Sequence, residues 1–217
     1  AAHMKVMIVV THLLGTGHLT RAMTLAQAFQ SAGHQPVVVS GGMPVARLAS
    51  SEIKLVQLPP LRSDGVDFSR LLDAAGEVAS ISLLETRQAQ LIATLHAFQP
   101  DALITELFPF GRRILKDEFT ALLTASETMP KRPIVCASIR DILAPPSKPK
   151  KVVFADEIIA TYYDGVLVHS DPDVAPLDLS WPVSDALRDR LRYTGFVALP
   201  PALPHPEGAG AGEVIVS

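Results

Sequence analysis

The chain repeats one local pattern from its start: a short apolar run, a turn, then a stretch with helical periodicity. Its first instance is the clearest. Lys5-Val6-Met7-Ile8-Val9-Val10 is β-branched and short enough for a fully buried parallel strand. The turn Gly15-Thr16-Gly17-His18-Leu19-Thr20-Arg21 follows, and Ala22, Leu25, Ala26 and Phe29 then recur at helical spacing. Repetition of this unit predicts an α/β fold, a mostly parallel sheet covered by helices on both faces.

Further strands are expected at 35–39, 54–58, 102–105, 133–138, 165–168 and 192–194, with helices at about 44–50, 69–98, 111–126, 151–162 and 184–190. Gly33, Ser40-Gly41-Gly42, Pro59-Pro60 and Pro100 supply the stops between them. On the long helix Leu84, Leu91, Leu95 and Phe98 share one stripe, with Glu85 and Arg87 expected elsewhere. Residues 1–4 look like a cloning scar, and the first domain is expected over 5–197. Residues 198–212 have a linker composition, stiff where proline-rich and flexible where glycine-rich. Residues 213–217 read as the first strand of a second domain, so the chain is expected to be the front half of a longer protein.

Composition narrows the function classes. Hydrophobic residues make up 48 %, enough for a sizeable core, yet no apolar run reaches the roughly 18 residues of a membrane span. No secretory signal is visible, and the single cysteine, Cys136, sits in an apolar run that suggests a buried thiol, so a reducing cytoplasm fits. With a formal charge of −3 and 6 % aromatics, nucleic acid is not an expected partner. Lys148-Pro149-Lys150-Lys151 reads as a solvated loop, with anionic lipid headgroups as the alternative partner.

In open α/β sheets ligands bind beyond the carboxyl ends of the strands. The strand ends gather Thr11 to His18, Ser40-Gly41-Gly42, Glu106, Ser138 with Arg140 and Asp141, and His169-Ser170-Asp171; the site candidates among them and the first helix are Gly15, Thr16, Gly17, His18, Arg21, Glu106, Arg140, Asp141 and His169. Glycines permit a sharp turn and close backbone approach, and a helix start favours a phosphate or carboxylate. The turn lacks the third glycine of a dinucleotide fingerprint, since position 20 is Thr20; an ordinary strand-to-helix turn is the simpler reading. His18 is the candidate general base, because histidine titrates near neutrality; the alternative is a helix-start histidine facing solvent. Glu106 either orients His18 or a sugar hydroxyl, or pairs with Arg112, Arg113 or Arg140. Arg140 either recognises an anion or is held by Asp141. No metal cluster accompanies His169. His12 and His34 read as loop residues and Trp181 as packing.

The glycine turn and Ser40-Gly41-Gly42 resemble the Rossmann-like amino-terminal domain of two-domain (GT-B) glycosyltransferases, near the family of the peptidoglycan N-acetylglucosaminyltransferase. Residues 105–113, 138–143, 163–172 and 193–196 look like those of bacterial predicted glycosyltransferases related to it. The resemblance implies an acceptor domain whose absent partner domain binds a nucleotide-sugar donor, with inverting, metal-independent transfer and no cofactor beyond that co-substrate. It implies His18 as base and leaves the acceptor open, lipid-linked or small, with peripheral membrane contact compatible. The form G-x-G-H-x-x-R, matched by Gly15, Gly17, His18 and Arg21, is also similar to a UDP-sugar hydrolase whose histidine activates water.

Overall fold

The structure, a computed structural model, describes residues 2–49, 52–67 and 69–198. The expected linker beyond residue 198 and the strand at 213–217 lie outside the described residues. In chain order the elements are β1 (Lys5–Val10), α1 (Gly17–Ser31), β2 (Gln35–Ser40), α2 (Ala46–Ala49), β3 (Lys54–Gln57), α3 (Ile81–Phe98) and β4 (Ala102–Glu106). Then come α4 (Lys116–Glu127), β5 (Ile134–Arg140), α5 (Pro149–Tyr162), β6 (Gly165–His169), α6 (Asp185–Arg188) and β7 (Leu191–Tyr193). All seven strands pair in parallel in the order β3-β2-β1-β4-β5-β6-β7. This is the Rossmann-like α/β sheet that the alternation predicts.

The period-2 alternation of each strand sorts its side chains onto two faces. Val6, Ile8 and Val10 of β1 join Ile104 of β4 against Leu19, Ala22, Met23 and Ala26 of α1. Met7 and Val9 join Leu103, Val135 and Val166 on the opposite face, under Leu91 and Leu95 of α3, Phe119 and Leu122 of α4, and Ile159 of α5. Strand order reverses at the β1–β4 pair, so the loops leaving these strands diverge and open a crevice at their carboxyl ends.

Three expectations are corrected. The long helix begins at Ile81, not near 69: Ser80 caps it, its hydroxyl accepting from the Leu83 amide at 3.1 Å. Upstream, Asp73 accepts from the amides of Ala75 and Glu77, and Leu72 bridges Arg62 and Val78, so residues 61–80 run as an irregular excursion. Second, Arg87 does not face outward. It is fully buried on the Leu91–Leu95 stripe, gripping both oxygens of Glu118 at 3.0 and 3.1 Å and donating to the carbonyls of Gly41 and Pro59. Third, the Lys150-Lys151 pair lies in the first turn of α5 rather than in a loop. Cys136 is half-buried, packed toward the α1 face, and burial pushes its thiol up to about 11, which leaves it protonated and inert. No helix among the described residues is long and apolar enough to cross a membrane.

Candidate active site

The site is laid along one face of the sheet by strand parity. Ile104 and Glu106 of β4 point to the α1 face, and Glu106 is the register partner of Ser138 on β5. His169 ends β6 beside them, and α1 lies over this face with His18 and Arg21 in its first two turns. The result is a continuous polar chain. Glu106 accepts on Oε1 from Arg21 at 2.6 Å and bonds His18 Nδ1 at 3.1 Å through the same oxygen. On Oε2 it accepts the Ser138 hydroxyl at 2.8 Å. Ser138 Oγ in turn lies 2.8 Å from His169 Nε2, and His169 Nδ1 lies 2.7 Å from the Thr194 hydroxyl.

Glu106, Ser138 and His169 are almost wholly buried, whereas the His18 side chain keeps 25 % of its surface. That difference matters chemically. A buried carboxylate paired with Arg21 can only accept, so the His18 nitrogen facing it carries the hydrogen. The other nitrogen, Nε2, makes no hydrogen bond among the described residues, and a quarter of the side chain is exposed. Carboxylate–imidazole pairing of this kind fixes tautomer and ring orientation.

The glycine turn forms the rim. Gly15 adopts φ +68°, a left-handed conformation that glycine takes without a steric penalty. Residues 14–17 are exposed, α1 has no acidic residue in its first turn, and Thr16 gives it no side-chain cap. The Ser63 amide donates to the Leu13 carbonyl at 2.9 Å, so the 61–67 loop flanks this turn and leaves Leu14 and Val66 exposed beside it.

Four of the expected residues, His18, Arg21, Glu106 and His169, thus meet in one chain. Arg140 and Asp141 do not join it: they are held by each other at 3.1 Å at the open end of β5, with more than half of the arginine side chain exposed. Glu106 pairs with Arg21 and none of Arg112, Arg113 or Arg140. Arg112 instead donates from Nε to the Thr11 carbonyl at 2.6 Å, tying the turn after β4 to the tip of β1 in a left-handed backbone conformation (φ 57°). Burial lowers its proton affinity, against the pull of Glu106. His12, expected in a loop, is buried at that tip, and burial lowers its ring's pKa against a raising hydrogen bond with the Met43 backbone. Gly42 is required there, because a Cβ would overlap His12. Trp181 packs edge-on against Phe110. Among the described residues no group of three or more His, Cys, Asp or Glu side chains could hold a metal ion.

Thr194 is the member that the sequence reading missed, and Ser138, collected at the strand ends without a role, gains one here: parity from Ile104 and Glu106 across the β4–β5 register places it beside the carboxylate. Burial pushes the His169 ring down to about 4, opposed by the Glu106 charge. The unfolded ring, at about 6.5, binds a proton that the folded ring refuses between these two values. Stability is therefore fully present above pH 6.5 and falls as pH drops toward 4, by about 3 kcal/mol. Urea titrations at pH 7 and 4.5 check this, with His169→Gln expected to flatten the difference.

Neither a protein-family model nor a curated protein matches the sequence. Among solved structures the chain is similar to MurG of Acinetobacter baumannii, at 14 % identity over 91 % of this chain and 47 % of that one, TM-score 0.52. It is similar to LpCGTa in complex with UDP, at 15 % identity over 91 % and 54 %, TM-score 0.54. A third is Phytolacca americana UGT2 complexed with UDP-2fluoro-glucose and pterostilbene, at 14 % identity over 82 % and 50 %, TM-score 0.50. The chain spans about half the length of these structures. The likeness is one of fold, and at that level the resemblance to the amino-terminal domain of GT-B glycosyltransferases holds.

Proposed function

We propose that this domain is the acceptor half of a nucleotide-sugar-dependent glycosyltransferase, with His18 as general base. The observation that carries the reading is the His18–Glu106 pair at the strand-order reversal, with Nδ1 occupied and the side chain a quarter exposed. Nε2 takes the proton of an acceptor hydroxyl as that oxygen bonds to the anomeric carbon. The bond from that carbon to the diphosphate breaks, the electron pair leaves with the nucleotide, and the configuration inverts. Glu106 stabilises the imidazolium so formed through Nδ1–H. Solved structures of similar fold with UDP, or with UDP-2fluoro-glucose and pterostilbene, support a nucleotide-sugar donor supplied opposite this face.

The turn Gly15, Gly17, His18, Arg21 favours one second reading, hydrolysis, in which water replaces the acceptor hydroxyl at Nε2. A third, a non-catalytic acceptor-binding module, describes the 217-residue chain acting by itself. The discriminating experiment incubates UDP-sugars and candidate acceptors with the polypeptide that carries this domain, and with the 217-residue chain alone, and resolves products by mass. Transferred sugar is the expected product of the former, and no turnover of the latter. Free sugar alone would replace transfer by hydrolysis.

A further inference from the structure

We infer that Ser138, His169 and Thr194 form a one-way hydrogen-bond chain that holds Glu106 and so sets the proton arrangement of His18. The inference rests on the reading of His18 as base, and the three residues act as positioning residues, since each works through the next.

The direction follows from counting hydrogens. Glu106, with Arg21 at 2.6 Å on Oε1, is a carboxylate and has none to give, so the Ser138 hydroxyl donates to Oε2. Ser138 has a single hydrogen. Toward His169 its oxygen must accept, and His169 Nε2 must be the protonated nitrogen. A neutral ring then presents a lone pair on Nδ1, which takes the Thr194 hydroxyl at 2.7 Å. The competing acceptors of that hydroxyl, the carbonyls of Gly195 and Val168, lie farther away at 3.0 and 3.4 Å. Burial keeps the ring neutral.

The charged and titratable groups facing this chain come from every neighbouring element: His18 and Arg21 on α1, His12 at the tip of β1, and Arg112 after β4. None donates to Oε2. Ser138 is therefore what holds the second oxygen, and with Arg21 on the first it prevents rotation of the carboxylate. His18 is left one fixed partner for Nδ1–H. Without the Ser138 hydroxyl, Oε2 would be buried and unsatisfied, and the carboxylate would lose the bond that fixes its rotation.

Long-range ¹H–¹⁵N correlation spectra of the histidine rings test this on the 217-residue protein. At pH 7 His169 is expected as the Nε2–H tautomer and His18 as Nδ1–H. Thr194 is an exposed residue, so its variants leave folding aside. Thr194→Val is expected to leave His169 as the Nε2–H tautomer, since the Ser138 oxygen still accepts from Nε2, whereas Ser138→Ala is expected to release His169 into a mixture of tautomers. Ser138→Ala is also expected to cost His18 its single Nδ1–H tautomer, since the carboxylate that fixes it can then rotate. An Nδ1–H or charged His169 at pH 7 overturns the chain, as does a Ser138→Ala variant whose histidine tautomers match those of the parent. The product assay is independent of these readouts. Correct tautomers without sugar chemistry would leave the chain of bonds standing and remove the function; wrong tautomers with intact transfer would do the reverse.

Discussion

His18→Ala is expected to lower kcat by about 10²- to 10⁴-fold, the range that a positioned general base supplies. The substitution is mild for the fold. His18 is the second residue of α1, alanine is a strong helix former, and the ring's packing is incomplete. KM for the acceptor should change little, because the lost interaction develops as the proton moves. Glu106→Gln should give a smaller loss in kcat, since an amide can still accept from Nδ1 but cannot balance an imidazolium. Steady-state kinetics on both variants decide the matter. A kcat for His18→Ala within about threefold of the parent would remove the base from the mechanism.

Arg87→Met is expected to destabilise the protein by about 3–5 kcal/mol, the cost of leaving one member of a buried ion pair alone. Arg87 is fully buried and Glu118 nearly so, and the guanidinium also serves the Gly41 and Pro59 carbonyls. Four segments are pinned at once: α3, α4 and the tips of β2 and β3. Removing the cation strands a carboxylate and two carbonyls. For a chain of this size the apparent melting temperature should fall by on the order of 10 °C. The double variant Arg87→Met, Glu118→Leu should recover much of the loss, since an apolar pair no longer carries an unpaired charge. Urea unfolding with an unchanged slope is the measurement. A loss below about 1 kcal/mol in the single variant would mean that water reaches Glu118.

Local periodicity made the sheet legible, because buried parallel strands are apolar runs and each covering helix carries a stripe. It failed where polar residues took core positions. Arg87 stands four residues before Leu91 and eight before Leu95, so spacing placed it inward while its charge argued outward. Its partner Glu118 lies 31 residues away and leaves no local trace. The long helix is expected from near 69, yet the hydrogen bonds at Asp73 and the Ser80 cap decide the backbone ahead of Ile81. In the site, His18, Arg21, Glu106 and His169 were visible as strand-end polar groups. Arg140 and Asp141 shared that signal but sit past the last covered position of β5, where solvent takes them. Ser138 was visible as a strand-end residue, but its role was not, because only the β4–β5 register sets it beside Glu106.

The polar chain that orders His18 is also a clock. Its links join residues 88, 32, 31 and 25 positions apart in sequence, so no two neighbours in space are neighbours in the polypeptide. Each link needs a long segment to close, and such closures come late in folding. During synthesis from the amino terminus, β1 and β4 can pair while Thr194 is still inside the ribosome. The hydrogen-bond chain closes only when the last strand arrives, so its completion reports that the seven strands have assembled.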